Sequence, residues 1–311
     1  MNIPVPPLFV FESDLAKYEV MDGQQRITAI LEFYTNRYEL KGLQQWPELN
    51  GRVYDTLPSE IKKGLDRRSI SYTVLLKESA STSEEEALLR QQVFERLNTG
   101  GVQLSHQEVR NSLYQSKFND LLIEVAREQQ FRLAWGVPQY SSEEEHQISS
   151  ELAKNLNYIM MRDVEIALRF FALRHAESYQ RGMKGFLDLY MVRAQSFDDA
   201  DIAILRELFT DTLTLGHALY GEFLFRPWDP RIKQWADKPQ VASSDAVTVG
   251  LSRHLDEGTQ LLEKKGAVIA ATQRLFEAHS QGTFTGQKNT KQDVQDRIRF
   301  FDEMLIQVLA A

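Results

Sequence analysis

The stretch "YEVMDGQQRITAILEFY", residues 18–34, changes its period part-way along. Tyr18 to Met21 reads as a strand and Asp22-Gly23 as a turn. From Gln24 onward the apolar positions Ile27, Ile30, Leu31 and Tyr34 recur at helical spacing. A strand that runs straight into a helix leaves Asp22 at the strand end and Gln24, Gln25 and Arg26 in the first helical turn. The amino end of a helix carries about half a positive charge, so a cation there is unfavourable by about 0.3–1 kcal/mol. Two readings of the turn stand side by side. In one, Asp22 is the N-cap, Gln25 reaches back in a capping-box manner, and Gly23 eases the turn. That reading leaves Arg26 without a reason. In the other, an anion occupies the helix end. Free backbone N–H groups, the dipole and the Arg26 guanidinium then all favour a phosphate, and Gln24 adds an amide donor. Asp22 is placed to hold a magnesium ion that bridges phosphates.

On either side of this stretch, residues 7–12 ("PLFVFE") read as a strand entered through a Pro-rich lead. "RYEL" at 37–40 reads as a short strand, and Leu57 to Arg67 as a helix with Pro58 in its first turn. "SISYTVLL" at 69–76 is β-branched and alternating, hence a strand. Residues 82–98 form a helical pattern with Ser81 and Glu84 in capping-box spacing. Ser105 and Glu108 repeat that spacing ahead of a helix to about Tyr114. Past about residue 116 the strand signals stop. Helical patterns cover 117–130, 143–176, 184–194, 199–224, 242–280 (with a break expected near Lys265-Gly266) and 291–309. The expectation is an α+β chain: a small mixed sheet with helices over residues 1–115, then an all-α domain over 116–311.

A second motif, "VFERLNTGGVQLSHQEVRNSLY" at 93–114, is a helix, a short Gly100-Gly101 loop and another helix. Adjacent glycines let backbone amides approach an anion closely, and Asn98 falls where the first helix ends. Asn and Gly are also ordinary helix C-terminal residues, so the loop by itself reads equally as a connector.

Bulk composition narrows the classes. The 311 residues are 42% hydrophobic and 26% charged, as in ordinary globular proteins. No apolar run approaches the ~20 residues of a membrane span. The opening "MNIPVPPLFVF" has three prolines and no basic region, unlike a signal peptide. With no cysteine, disulfides and thiolate metal sites are excluded, and an intracellular (cytoplasmic) location fits best. The net charge of -8 argues against non-specific coating of nucleic acid. Residues 1–115 hold 13 Lys and Arg against 16 Asp and Glu, so any nucleic-acid contact needs a local patch.

Together, "IPVPPLFVFE…YEVMDGQQRITAI" and "FERLNTGGVQLSHQEVRNSLY" resemble the N-terminal domain of GmrSD-type Type IV restriction endonucleases, which is similar to the ParB/sulfiredoxin-like fold. "LKGLQQWPELNGRVYDTLPSEIKK" also looks like that family, and "RDVEIALRFFALRHAESYQRGMKGFLDLYM" at 162–191 resembles the helical continuation in many members. The resemblance runs from residue 2 to about 195. It implies a nucleoside-triphosphate-binding domain in anti-phage restriction systems, where nucleotide hydrolysis is linked to recognition of modified DNA. Asp22, Gly23, Gln24, Gln25 and Arg26 would form the nucleotide motif. Asn98, Gly100 and Gly101 would lie at the phosphates, with Asp22 and Asn98 near magnesium and Glu95 as a polar helper. Catalysis would rest on Asp22, Arg26 and Asn98.

Two departures from the family pattern accompany this. Members carry a segment ahead of the I-P-x-P-P region, with a Gln-Arg motif and an aromatic, linked to folding the sheet and in some to sensing DNA. Here Met1 stands immediately before "NIPVPP", so the expectation is a misplaced start or a shortened relative. The nuclease half of such systems carries an HNH site. The histidines His106, His146, His175, His217, His254 and His279 form no such pattern, so cleavage is expected to need a nuclease partner. The competing reading is a non-catalytic ParB-like module that binds nucleic acid or protein. A sulfiredoxin-like phosphotransfer enzyme is disfavoured by the absence of cysteine.

Other features read as structural. "FRPWDPRIKQW" at 225–235 interleaves cations with Trp228 and Trp235, which could stack bases. A Pro-broken interhelical loop whose tryptophans cover the core is the preferred reading. Thr290 is expected to cap the last helix, with Lys288 in a polar loop before it. Arg67-Arg68 reads as a solvated pair, "SSEEEHQ" at 141–147 as an acidic first helical turn, and Met160-Met161 and Phe170-Phe171 as core.

Overall fold

Strand β1 (Leu8–Asp14) is the centre of a three-stranded sheet. It pairs antiparallel with β2 (Lys17–Asp22) and parallel with β3 (Tyr72–Leu76), giving the order β2-β1-β3. On β1 the neighbours Val10 and Phe11, which point to opposite sides of the sheet, are both buried. The computed structural model describes residues 5–76, 82–97, 104–145, 147–280, 282–287 and 289–311. The chain divides into two compact units, Met1–Gly101 and Val102–Ala311.

In the first unit a parallel pairing requires a crossover, and residues 23–71 supply it with helices α1 (Gln24–Tyr34) and α2 (Ser59–Asp66). The strand expected at 37–40 does not form. The Leu40 amide bonds the Arg52 carbonyl at 3.0 Å, the Gly51 amide returns to Leu40 at 2.7 Å, and Asn36 exchanges two hydrogen bonds with Asp55 at 2.8 and 2.9 Å. Local closure of the loop thus satisfies the backbone that a ladder would have used. The apolar face of α1 is also not the one the spacing predicts. Phe33 is buried against Leu49 and Leu57, while Leu31 and Tyr34 stay exposed. Tyr34 instead stacks on Tyr54 at 4.5 Å, and both hydroxyls donate to Asp66 at 3.1 and 2.8 Å. These bonds, with burial behind them, push the Tyr54 phenol up to about 12. Helix α3 (Ser83–Leu97) lays Arg90 over the Phe11 ring at 4.3 Å and bonds it to Glu19 at 2.5 Å. The Thr82 hydroxyl accepts from the Glu85 amide at the start of α3; Ser81, the expected cap, lies outside the described residues.

The second unit is helical. The capping box predicted at Ser105 and Glu108 forms, with bonds of 3.2 and 2.7 Å, and opens α4 (His106–Leu113). This helix lies in the second unit, ahead of the composition break at 115/116, because Arg110 reaches Asp188 at 2.7 Å and Glu165 at 2.8 Å. The predicted helix 117–130 is two, α5 (Lys117–Val125) and α6 (Gln129–Trp135). The predicted helix 143–176 is broken more severely, into 3-10 turns at 142–145 and 152–154, then α7 (Leu156–Ile159) and α8 (Arg162–Leu173). Asn155 ends the run by capping Asn157 and Tyr158, and Met161 sits at φ +49° before α8.

Helices α9 (Gly182–Ala194) and α10 (Asp199–Tyr220) follow. Two-residue strands β4 (Trp228–Asp229) and β5 (Gln234–Trp235) then pair in the interhelical segment, where no strand was expected. Trp235 stacks on Phe223 at 5.9 Å and meets Phe276 edge-on at 6.2 Å, so it does cover the core. The predicted helix 242–280 is three: α11 (Val241–Ser252), α12 (Gly258–Glu263) and α13 (Lys265–Ala278). The break at Lys264 falls where it was expected; the one at 253–257 was not foreseen. Thr290 caps α14 (Lys291–Ala310) as predicted, in a box with Asp293. The centre of the unit is α11, buried on every side. A Cβ at Gly250 would meet Phe301 at 2.6 Å, so the absence of a side chain is what lets α11 and α14 approach. Among the described residues no helix is long and apolar enough to cross a membrane.

Candidate functional site

The Asp-Gly-Gln-Gln-Arg turn is built by a strand irregularity and a left-handed glycine. Val10 pairs with Val20 but Phe9 pairs with Asp22, so Met21 is an extra residue on β2. Such bulges re-aim the side chain that follows. Gly23 then takes φ +102° and ψ +11° as the N-cap of α1. The helix starts one residue later than a cap at Asp22 would require. No side chain caps it, and no acid lies in its first turn. The capping reading of Asp22 and Gln25 is therefore not what the turn adopts.

Asp22 and Arg26 face each other instead. Arg26 Nη2 donates to Asp22 Oδ2 at 2.6 Å, while Nη1 donates to the carbonyls of Pro6 at 2.6 Å and Pro7 at 3.0 Å. The guanidinium fastens the Pro-rich lead to the turn and fixes the carboxylate at the strand end. Asp22 Oδ1 accepts no hydrogen bond among the described residues, and the Asp22 side chain is 43% exposed. Gln24 and Gln25 are exposed beside it. The turn thus brings together a fixed, accessible carboxylate, two side-chain amides and the uncapped amino end of an eleven-residue helix. Magnesium held through one protein carboxylate and substrate phosphates suits a lone acid such as Asp22. Among the described residues no group of three or more His, Asp or Glu could hold a metal without such help. Glu95, on α3, accepts from Gln91 at 3.0 Å. Asn98, Gly100 and Gly101 lie outside the described residues.

Residues 1–115 match the family model of the GmrSD restriction endonuclease, N-terminal domain. The sheet, its crossover and the turn at Asp22 therefore lie in a GmrSD-type N-terminal domain. The match ends at 115 and does not take in the helical stretch at 162–191 whose sequence resembles the same family. No curated protein and no solved structure matches the chain.

Gly23 carries the geometry of the GmrSD-type turn. A Cβ there would lie 2.3 Å from Leu8 Cδ2 and 3.2 Å from the Arg26 Cζ. The Leu8 terminus can rotate away, but the backbone strain of a non-glycine residue at this φ, about 1–2 kcal/mol, remains. Gly23→Ala is expected to lower the thermal midpoint of the first unit. Gly64→Ala, inside α2 with open space around it, is expected to leave it equal or higher. Equal midpoints for the two variants would show that the turn does not depend on this conformation.

Sequence reading missed the charged groups of the helical unit. Arg132 is fully buried and bonds both Glu144 oxygens at 2.7 Å, so Glu144, expected in an acidic first helical turn, is a core partner in a 3-10 turn. Arg169 and Arg297 converge on Asp245, and Arg110 on Asp188. The available signal was a lone charge within an apolar helical pattern, as in "IALRFFAL" and "SSDAVTVG".

Proposed function

We propose that the chain is a nucleoside-triphosphate-binding regulatory component of a DNA restriction and anti-phage system, with the Asp22–Arg26 turn as its nucleotide site. The observation that carries this is the uncapped helix end beside the fixed Asp22 carboxylate, in a GmrSD-type domain. Phosphates would meet the first-turn amides and the side-chain amides of Gln24 and Gln25. Asp22 Oδ1, with Asn98, would hold magnesium, which would neutralise phosphate charge, and Gly100 and Gly101 would let backbone approach. Arg26 would act first on Asp22, keeping its orientation, and next on developing phosphate charge. Positioning and electrostatics supply most of the rate in phosphoryl transfer, so such a site could hydrolyse the nucleotide by in-line attack of water. The helical unit would pass nucleotide state to modified DNA, and cleavage would come from an HNH-type partner.

Calorimetric titration of each magnesium–NTP into wild type, Asp22→Ala and Arg26→Ala tests the site. Each variant is expected to bind about ten-fold more weakly or worse, about 1.4 kcal/mol, with circular dichroism reporting that the fold is kept. Equal heats from all three proteins would remove the assignment.

A second reading, a docking module without turnover, is favoured by one observation. Tyr18, Val20, Tyr72 and Leu76 share one face of the sheet and are all at least 43% exposed, more apolar surface than a small sheet normally leaves wet. If no NTP gives heat with the wild-type protein, this reading takes its place.

A further inference from the structure

A cavity of about 530 Å³ lies wholly within the helical unit, between the C-terminal end of α5, the segment before α7 and the start of α8. Its size is that of small-molecule sites, and its wall is largely aliphatic, with Ile123, Ala126, Ile159 and Val164 on it. One acid on that wall stands out. Asp163 is only 3% exposed, and its Oδ1 accepts from the Val164 amide at 2.9 Å. Oδ2 has no hydrogen-bond partner among the described residues. A donor that reached this oxygen from the cavity would gain a charge-assisted hydrogen bond.

The cations on the wall do not do so. Arg132 gives its guanidinium to both oxygens of Glu144 and to the Pro138 carbonyl at 2.9 Å, and Arg127 lies over the Tyr140 ring at 4.9 Å. Glu108, also on the wall, accepts from the Ser105 amide. The wall thus carries three carboxylates, those of Glu108, Glu144 and Asp163, against the two guanidiniums of Arg127 and Arg132, and Arg132 is taken up by Glu144.

We infer that this cavity is a binding site for a small organic amine, its apolar part against Ile123, Ala126 and Ile159 and its ammonium on Asp163 Oδ2. Burial holds the Asp163 carboxyl up at about 6, so it is ionised at neutral pH and ready for a cation. The site is independent of the nucleotide turn, whose residues all belong to the other unit.

Three probes of one size and different heads test it on the full chain near neutral pH: 2-phenylethylamine, 2-phenylethanol and 3-phenylpropionate. Thermal shift and calorimetry are expected to show the amine bound, with a dissociation constant of about 1 mM or below, and at least about ten-fold tighter than the alcohol or the acid. Asp163→Asn is expected to abolish that preference, because its amide no longer attracts an ammonium. Ala153→Trp, at an exposed position on the cavity wall, is expected to block all three without loss of fold. Equal affinity for amine and alcohol, no binding of the amine at about 10 mM, or an amine preference that survives Asp163→Asn would each overturn the inference. Magnesium–NTP titrations of these variants should match wild type, which separates this site from the nucleotide reading.

Discussion

Asp245→Ala is expected to destabilise the helical unit by about 3–5 kcal/mol, a large part of the roughly 5–15 kcal/mol that holds a domain folded. Asp245 is 2% exposed in the middle of α11. Arg169 brings two donors to it, Nε at 2.9 Å and Nη2 at 2.5 Å, and Arg297, fully buried on α14, places Nη1 at 3.5 Å from Oδ2. Burial works against the Arg169 cation, and Asp245 more than offsets this, so that its pKa lies above the usual arginine value. For Arg297 burial prevails and the pKa lies below it. Removing the carboxylate leaves two guanidinium groups in an apolar interior, with Arg297 retaining the Asn289 side-chain carbonyl at 2.9 Å. Urea unfolding followed through Trp235, which packs in this unit, measures the loss. Adding Arg169→Met to Asp245→Ala should recover part of it, since residues in one network do not act additively. A change under about 1 kcal/mol in the single variant would mean that water reaches the arginines, and the buried network would have to be abandoned.

Asp163→Asn is expected to make the protein more stable, and only above acidic pH. Burial raises this carboxyl from its ordinary 3.8 to about 6, ahead of the opposing Val164 amide and Arg132. Below 3.8 the group is protonated whether the chain is folded or not, and its full contribution to stability is present. As pH rises from 3.8 toward 6 the unfolded chain ionises first, so that contribution falls, and above about 6 it is gone. The difference is at most about 3 kcal/mol, at about 1.4 kcal/mol for each unit. Asparagine keeps the polar shape without the charge. The variant should therefore match wild type near pH 3.5 and exceed it by about 2–3 kcal/mol near pH 8. Other groups titrate in both proteins, so the quantity to follow is the difference between the two unfolding free energies against pH. A difference that is flat, or that grows toward acid, would show that the carboxylate is solvated. Read with the amine titrations, the same substitution is expected to strengthen the fold and remove the ligand. Relief of a packing defect alone would not produce both.

What could be read from the residues was local. The strand-to-helix turn at Asp22-Gly23, the boxes at Ser105–Glu108 and Thr290–Asp293, and the strands at the start of the chain each depend on groups within about four positions. The two motifs that resemble the GmrSD family are contiguous strings, and the family match over residues 1–115 covers both. The misread parts share a different character. "RYEL" has strand-forming residues, yet its backbone bonds go to Gly51 and Arg52, eleven and twelve positions from Leu40. The pattern at 143–176 is helical by period, yet Asn155 and Met161 interrupt it, because Glu144 is drawn onto Arg132 and Asn157 Nδ2 onto the Trp135 carbonyl at 3.0 Å.

By itself the sequence determined an α+β chain with a small sheet ahead of a helical region, a carboxylate and a guanidinium at one helix end, and the family of its first 115 residues. Only the tertiary structure decided that Arg26 holds Asp22 and the Pro6 and Pro7 carbonyls, that Asp245 joins two arginines from α8 and α14, and that Asp163 meets an aliphatic cavity. The reason is that capping and periodicity act between residues already close along the chain, whereas the partner of a buried charge is chosen by whichever distant segment excludes water from it.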